Sequence, residues 1–258
     1  MTTTPKSAVR TNAYLRKVAP QGREAQRIGP FLATFHPDNA NPFVSYAIPD
    51  DDAEPTPAEI EALVAAYRTR DRVPRLEYAP QAAPGVEPAL LAAGFEIEFR
   101  PPFMTCEQPQ PIAAPDGFVV RMIDGPQDLR RTAHLLDLAY AEHGHPPMDD
   151  DDRLIGFVAG GGGVALAWAA ASGEAAGGGM FTPIAGAMTE VAGIGVLPAF
   201  RCRGLASALT AVLTAEAFRR GVEMAFLTPG GNHAQRAYER AGFRAAGEML
   251  MLSLPPAR

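Results

Sequence analysis

The chain has 258 residues, a formal net charge of −6 and 47% hydrophobic residues. This apolar content excludes a disordered chain, and the lack of a strict glycine period excludes a collagen-like one. The net charge is −4 over residues 1–116 and −2 over residues 117–258, so neither half has the basic footprint of a nucleic-acid-binding domain.

The cysteines and the apolar runs restrict the class further. Cys106 and Cys202 lack the spacing of metal ligands, and the first ten residues lack the apolar core of a signal peptide. The uncharged run 154–173 is interrupted by four consecutive glycines, which favours a helix–turn–strand passage over a membrane helix. We therefore expect a soluble, cytoplasmic protein that binds no metal, no membrane and no nucleic acid.

Proline and glycine are distributed unevenly along the chain. Residues 1–116 contain 17 prolines and 4 glycines, whereas residues 117–258 contain 8 prolines and 21 glycines. Proline stiffens the backbone and glycine frees it, so this contrast indicates two domains. The proline-containing segment 107–116 (EQPQPIAAPD) is typical of a linker between them.

The first half repeats part of the order of the second half. Segment 80–95 matches segment 229–243, and each follows an apolar strand, RLEYA or MAFLT. The short segment that ends at Pro49 matches the one that ends at Pro198. The separation of these two segments along the chain is nearly the same as that of 80–95 from 229–243. Three matches in one order predict a duplicated fold.

After the linker, apolar periodicity predicts alternating strands and helices, which is typical of an α/β domain. The predicted strands are Phe118–Ile123, Val164–Ala170, Ala175–Thr182, Thr189–Val196, Val222–Thr228 and Met249–Leu254. The predicted helices are Asp128–His143, the segment RLIGFVA, Leu205–Arg220 and Ala234–Ala241.

The segment VLPAFRCRGLA (196–206) leaves a predicted strand and opens the clearest helix. The first N–H groups of a helix have no intrahelical partner and lie at the positive end of its dipole. Gly204 lets an anion approach the backbone, while Arg201 and Arg203 add positive charge. This junction predicts a pyrophosphate site.

The order of strand, phosphate loop, long helix, strand and helix resembles the GNAT superfamily of acetyl-CoA-dependent N-acetyltransferases. The resemblance covers residues 117–254. It rests on Val196, Pro198, Arg201, Gly204, Ala206, Asn232, Gln235, Tyr238, Gly242 and Phe243.

The resemblance implies an α/β fold with a mixed sheet, as two tandem acyl-CoA N-acyltransferase-like domains with splayed central strands. The splayed strands would be Thr189–Val196 and Val222–Thr228, with acetyl-CoA as cosubstrate between them. The implied cofactor-binding residues are Ile194, Gly195, Val196, Arg201, Cys202, Arg203, Gly204, Leu205, Ala206, Asn232 and Gln235.

The resemblance also implies a mechanism. A small-molecule or peptide amine would attack the thioester directly, Tyr238 would protonate the departing thiolate, and Glu190 would act as base through water. Tyr238 as a packed core ring, Glu190 as a solvated strand end and Asn232 as a helix N-cap are the structural alternatives. The functional alternatives are a non-catalytic acyl-CoA-binding module and a tandem acyltransferase that makes a peptide-like or thiol-linked product.

Three further features have open interpretations. The acidic run Asp149–Asp152 would either cap a helix or attract a cationic acceptor, while His143 and His145 lack a third metal ligand. Where the second half has its phosphate loop, the first half has DDDAEPTP (50–57), and Leu90 matches Tyr238. We therefore expect residues 12–106 to be a degenerate domain without a cofactor site and 117–258 to be the catalytic domain.

Overall fold

The computed structural model describes residues 6–141, 148 and 150–255. Its helices are α1 (Lys6–Val18), α2 (Pro57–Arg68), α3 (Val86–Ala92), α4 (Pro126–Ala141), α5 (Arg153–Ala159), α6 (Leu205–Arg219) and α7 (Asn232–Arg240). Its strands are β1 (Glu24–Ile28), β2 (Phe31–Phe35), β3 (Ala47–Pro49), β4 (Arg75–Tyr78), β5 (Glu96–Phe99), β6 (Pro102–Cys106), β7 (Phe118–Ile123), β8 (Gly163–Ala169), β9 (Ala175–Phe181), β10 (Met188–Val196), β11 (Met224–Leu227), β12 (Arg244–Glu248) and β13 (Leu250–Ser253). Within these ranges, no helix is long and apolar enough to cross a bilayer.

The chain forms two compact units, each built on a mixed sheet. The first unit runs to Phe103 and resumes at Ala246, and the second comprises Met104–Ala245. The six-stranded sheet has the order β1-β2-β3-β4-β13-β5, and the seven-stranded sheet has the order β12-β6-β11-β10-β9-β8-β7. These mixed α/β sheets confirm the predicted fold class.

The limits of the units differ from the predicted ranges 12–106, 107–116 and 117–258. Strand β13 is hydrogen-bonded between β4 and β5, so the end of the chain belongs to the first unit. Strand β6 pairs with β11, so the second unit begins at Met104. The expected linker belongs to the second unit as well, where the Gln110 N–H donates to the Ala241 carbonyl. Sequence order alone did not reveal that the last strand of each repeat joins the sheet of the other.

Most elements of the second half lie within two residues of their predicted ends. Strand β7 and helix α5 have the predicted bounds, and α4 is described as far as Ala141. Helix α7 begins at Asn232, two residues before the predicted start. Strand β12 was not predicted, because its sequence RAAGE contains alanines and a glycine, which are poor strand formers.

Helices α4 and α6 pack on opposite faces of β9, whose centre is the glycine run 177–179. A Cβ on Gly178 would lie 2.7 Å from Thr132 of α4, whereas one on Gly179 would lie 3.2 Å from Leu213 of α6. Successive strand residues face opposite sides of a sheet, which explains this alternation. The glycines therefore let both helices approach β9 closely.

Helix α4 also packs tightly on β10 at Gly195. A Cβ there would lie 2.9 Å from Leu136 Cδ2 and 3.0 Å from Ala139 Cβ, closer than such atoms normally approach. The missing side chain thus sets the distance between α4 and β10.

Leu252 of β13 is fully buried and lies opposite Leu76 of β4. We expect Leu252→Ala to lower the free energy of unfolding by about 2–5 kcal/mol, because it leaves a cavity in the core. Hydrogen exchange should lose protection first in β4 and β5. Met251→Ala, at a partly exposed position of the same strand, is the control and should cost less. Loss of protection first in the second unit would contradict the assignment of β13.

We expect Gly195→Ala to lower the free energy of unfolding by about 1–3 kcal/mol, because the added methyl group would overpack the contact with α4. Gly156→Ala in α5 is the matched control. A Cβ at Gly156 meets no described residue within 4 Å, so alanine should stabilise that helix by about 0.5–1 kcal/mol. Chemical denaturation measures the change in the free energy of unfolding for each variant. If both variants change it in the same direction, close packing at Gly195 is refuted.

Candidate active site

Strand β10 separates from its neighbour β11 after a short stretch of pairing. The two strands are parallel and pair from Met188 with Met224 to Glu190 with Phe226. Beyond Glu190, the edge of β10 that faces away from β9 has no β11 partner. The predicted splay of the central strands is therefore confirmed.

A β-bulge lies in this unpaired part of β10. Ala192 pairs with Met180 and Gly195 pairs with Gly178, so two residues of β10 lie opposite one of β9. Such a bulge changes the direction in which the following backbone groups point. The bulge thus sets the orientation of the edge from residue 193 onward.

The register identifies the backbone groups that face the splay. The Leu197 N–H donates to the Ala176 carbonyl of β9 at 2.9 Å. In an antiparallel ladder, hydrogen-bonded residues alternate, so Gly195 also faces β9, whereas Val196 faces the open edge. The Ile194 carbonyl faces that edge too, because the C=O and N–H of a trans peptide point in opposite directions.

Two side chains bind the carbonyls of this edge. The Tyr140 hydroxyl at the end of α4 donates to the Ile194 carbonyl at 3.3 Å. The Arg201 Nε–H donates to the Val196 carbonyl at 3.0 Å. Side-chain donors therefore occupy the acceptor groups that a neighbouring strand would otherwise use.

The loop after β10 presents backbone N–H groups at the start of α6. Cys202 (φ 60°) and Gly204 (φ 85°) both lie in the left-handed region, and Gly204 is the N-cap of α6. No side chain caps this helix, and its first turn contains no acidic residue. A left-handed turn that leads into an uncapped helix forms an anion-binding concavity.

The two arginines of the loop have different surroundings. The Arg201 guanidinium is bonded to the strand, as described above, whereas the Arg203 guanidinium lies 5.8 Å from the ring centres of both Phe118 and Phe200. These two rings pack edge to face. Both arginines are exposed, so the loop presents positive charge to solvent.

Ser207, in the first turn of α6, has a buried hydroxyl with no hydrogen-bond partner among the described residues. A buried hydroxyl without a hydrogen-bond partner is energetically unfavourable. Ser207 carries no separate signal in the sequence, because serine is common near helix starts.

Helix α7 follows β11 and contributes Asn232, Gln235 and Tyr238. The alternative reading of Asn232 as an N-cap is wrong, because Gly231 occupies that position and no side chain caps the helix. The Gln235 amide donates to Glu239 Oε1, one turn along, at 3.0 Å.

Tyr238 is only 8% exposed and packs edge to face on Phe243. Burial raises the pKa of its phenol above the usual value, and the nearby Tyr140 raises it further. Burial also raises the pKa of Tyr140, to about 12. Both phenols are therefore neutral at physiological pH.

Glu190 lies at the last position where β10 pairs with β11, and it is partly buried. Its N–H donates to Thr182 Oγ1 at 2.9 Å, and its carbonyl accepts from the Thr182 N–H at 2.8 Å. Ile194 lies four positions further along β10, which corresponds to roughly 13 Å along a strand. The Glu190 side chain is therefore too far away to contact a group bound at Ile194 directly.

The acidic run is described only in part, since His143, His145 and Asp149 lie outside the described residues. Asp152 is the N-cap of α5 but makes no side-chain cap bond, and its carboxylate pairs with Arg130 at 2.6 Å. No group of three metal-ligating side chains was found among the residues that the structure describes.

The corresponding helix of the first unit, α2, begins differently. Thr56 and Glu59 form a capping box, in which the Glu59 carboxylate accepts from the Thr56 N–H at 2.8 Å. These hydrogen bonds lower the pKa of Glu59. A side-chain carboxylate thus occupies the start of α2, whereas the start of α6 is open.

Comparison with known proteins identifies the second unit. The model of the acetyltransferase (GNAT) family matches residues 124–243. A search of curated protein sequences found no match.

Solved structures cover nearly the whole chain. A GCN5-related N-acetyltransferase from Kribbella flavida is 26% identical, with a TM-score of 0.81 over 97% of this chain and 96% of that one. One from Sphaerobacter thermophilus is 18% identical, with a TM-score of 0.63 over 89% and 78%. A tandem GNAT protein from the clavulanic acid biosynthesis pathway is 14% identical, with a TM-score of 0.63 over 99% and 92%. The second unit therefore contains an acyltransferase domain of the GNAT family, formed by residues 124–243.

Proposed function

We propose that the second unit transfers an acetyl group from acetyl-CoA to an amine of a small-molecule or peptide acceptor, by direct attack. One observation carries the proposal: the uncapped start of α6 adjoins the edge of β10 that has no β11 partner. The first feature suits a pyrophosphate and the second suits an extended amide-containing arm.

The loop residues fit the phosphate groups of the donor. The N–H groups of Arg203, Gly204, Leu205 and Ala206 would bind the pyrophosphate, with Cys202 shaping the turn. Among the residues that the structure describes, a Cβ at Gly204 would meet only Pro115 within 4 Å, which leaves space in front of the backbone. The arginine charges favour the anion further.

The edge of β10 fits the pantetheine arm and the thioester. Val196 presents its N–H toward the splay, where an amide carbonyl of the arm can accept it as a neighbouring strand would, while its own carbonyl is bound by Arg201. Of the backbone N–H groups near Ile194 to Val196, those of Ile194 and Val196 would polarise the acyl carbonyl, because Gly195 faces β9. Asn232 and Gln235 at the start of α7 are the proposed additional contacts.

The chemistry follows from bringing the two substrates together. The nitrogen of a neutral amine attacks the acyl carbon, the carbon–sulfur bond breaks, and the thiolate takes a proton while the nitrogen loses one. Tyr238 is the proposed proton donor, since burial keeps its phenol protonated. Glu190 is the proposed base and would act through water, because it lies too far along β10 for direct contact.

We propose further that residues 12–106 form a degenerate domain of the same fold. The Glu59 carboxylate takes up the N–H of Thr56 at the start of α2, and Pro55 and Pro57 remove two donors there. Carboxylates of Asp50 to Asp52 would also repel a pyrophosphate. One acetyl-CoA should therefore bind per chain.

Gly204→Val should weaken acetyl-CoA binding at least tenfold, because valine is strained at a φ of 85° and its side chain would enter the phosphate space. Titration calorimetry measures the stoichiometry and Kd. Gly221→Val is the matched control: it imposes similar strain (φ 96°) at the other end of α6 and should leave binding unchanged. Acetyl-CoA should raise the Tm of the wild-type protein. No rise at saturation would refute the proposed donor.

Tyr238→Phe should lower kcat by about 100-fold or more and leave the Kd of acetyl-CoA nearly unchanged, since it removes a proton donor and keeps the ring. Acetyl-CoA consumption is measured with a panel of amines: a polyamine, an aminoglycoside, amino acids and peptide N-termini. Because burial raises the pKa of Tyr238, wild-type kcat should not fall between pH 8 and about 9.5 through loss of this proton. Binding without turnover for any amine would favour the non-catalytic acyl-CoA-binding module.

A further inference from the structure

Tyr140 joins two parts of the second unit that meet at the splay. It lies in the last described turn of α4, and its hydroxyl donates to the Ile194 carbonyl at 3.3 Å. Helix α4 is held against this point by the close approach at Gly195, where a Cβ would lie 3.6 Å from the Tyr140 ring. The ring is therefore fixed beside the bulge of β10.

The hydrogen bond is made at a strand edge that lacks a strand. Pairing with β11 ends at Glu190, so no β11 residue is in register with Ile194. An unpaired carbonyl on this edge would present a partial negative charge to any acyl oxygen bound beside it. A donated hydroxyl reduces that charge and fixes the plane of the Ile194–Gly195 peptide.

We propose that Tyr140 is a positioning residue for the acyl carbonyl. Its hydroxyl substitutes for the absent strand partner at Ile194 and holds the bulge of β10 in the orientation that receives the thioester. This inference rests on the proposed function and adds to it a residue outside the phosphate loop and α7.

Tyr140 carries no functional signal in the sequence. It follows Leu136 by four residues and therefore lies on the same face of α4. This spacing is typical of core packing, so nothing in it distinguished a hydroxyl that binds a strand edge. The structure adds the distance to Ile194 and the missing β11 partner.

Tyr140→Phe is the test, because it keeps the ring and removes only the hydroxyl. We expect kcat to fall about five- to tenfold, which corresponds to the loss of one hydrogen bond. The Kd of acetyl-CoA should stay within about twofold, because the phosphate loop is unchanged. The matched control is Tyr78→Phe in the first unit, whose buried hydroxyl has no partner among the described residues and whose loss should change neither value.

Infrared spectroscopy of bound, carbonyl-labelled acetyl-CoA supplies a readout that needs no acceptor. In the wild-type protein the thioester band should shift away from that of free acetyl-CoA, and in Tyr140→Phe it should return part of the way. If the thioester band and kcat of Tyr140→Phe equal those of the wild-type protein, this inference is overturned and the proposed function is unaffected. If Tyr140→Phe raises the Kd of acetyl-CoA and lowers the Tm but leaves the thioester band unchanged, Tyr140 has a structural role and the inference is overturned as well. A wild-type protein that binds no acetyl-CoA overturns the proposed function together with the inference.

Discussion

The early end of pairing between β10 and β11 is the feature on which the site depends. Only Met188 to Glu190 pair with β11, so the rest of β10 presents a row of backbone groups to the splay. Exposed strand edges readily pair with another extended chain. Here side chains of Tyr140 and Arg201 bind two carbonyls of the edge, which leaves its N–H groups as the distinctive feature of the splay.

Helices α2 and α6, one in each unit, begin in different ways. Helix α6 begins after a left-handed glycine without a side-chain cap, while α2 begins with a capping box. A capping box stabilises a helix by satisfying the same N–H groups that an anion would bind. The first unit thus gains local helix stability at a helix start that the second unit leaves without a side-chain cap, and a start capped in this way cannot also bind an anion.

The sequence predicted what depends on neighbouring residues and missed what depends on distant ones. The phosphate loop and the strands and helices around it follow from local patterns, so their positions were predicted within two residues. The partner of β13 is set by hydrogen bonds to strands more than 150 residues away, which no local pattern encodes. The role of Gly231 in place of Asn232 at the start of α7 depends on one backbone turn and was missed for that reason.

The glycines explain why the second unit is rich in this residue beyond its phosphate loop. Gly178 and Gly195 let α4 approach β9 and β10, and that approach brings Tyr140 within reach of Ile194. A methyl group at either position would push α4 outward and lengthen this hydrogen bond before it touched any ligand. Close packing in the core and the orientation of the bulge therefore depend on each other. The face of α4 that packs on these glycines also carries Tyr140, which binds the edge of β10. The composition contrast between the halves reflects this need for close approach, in addition to the single glycine that the phosphate loop requires.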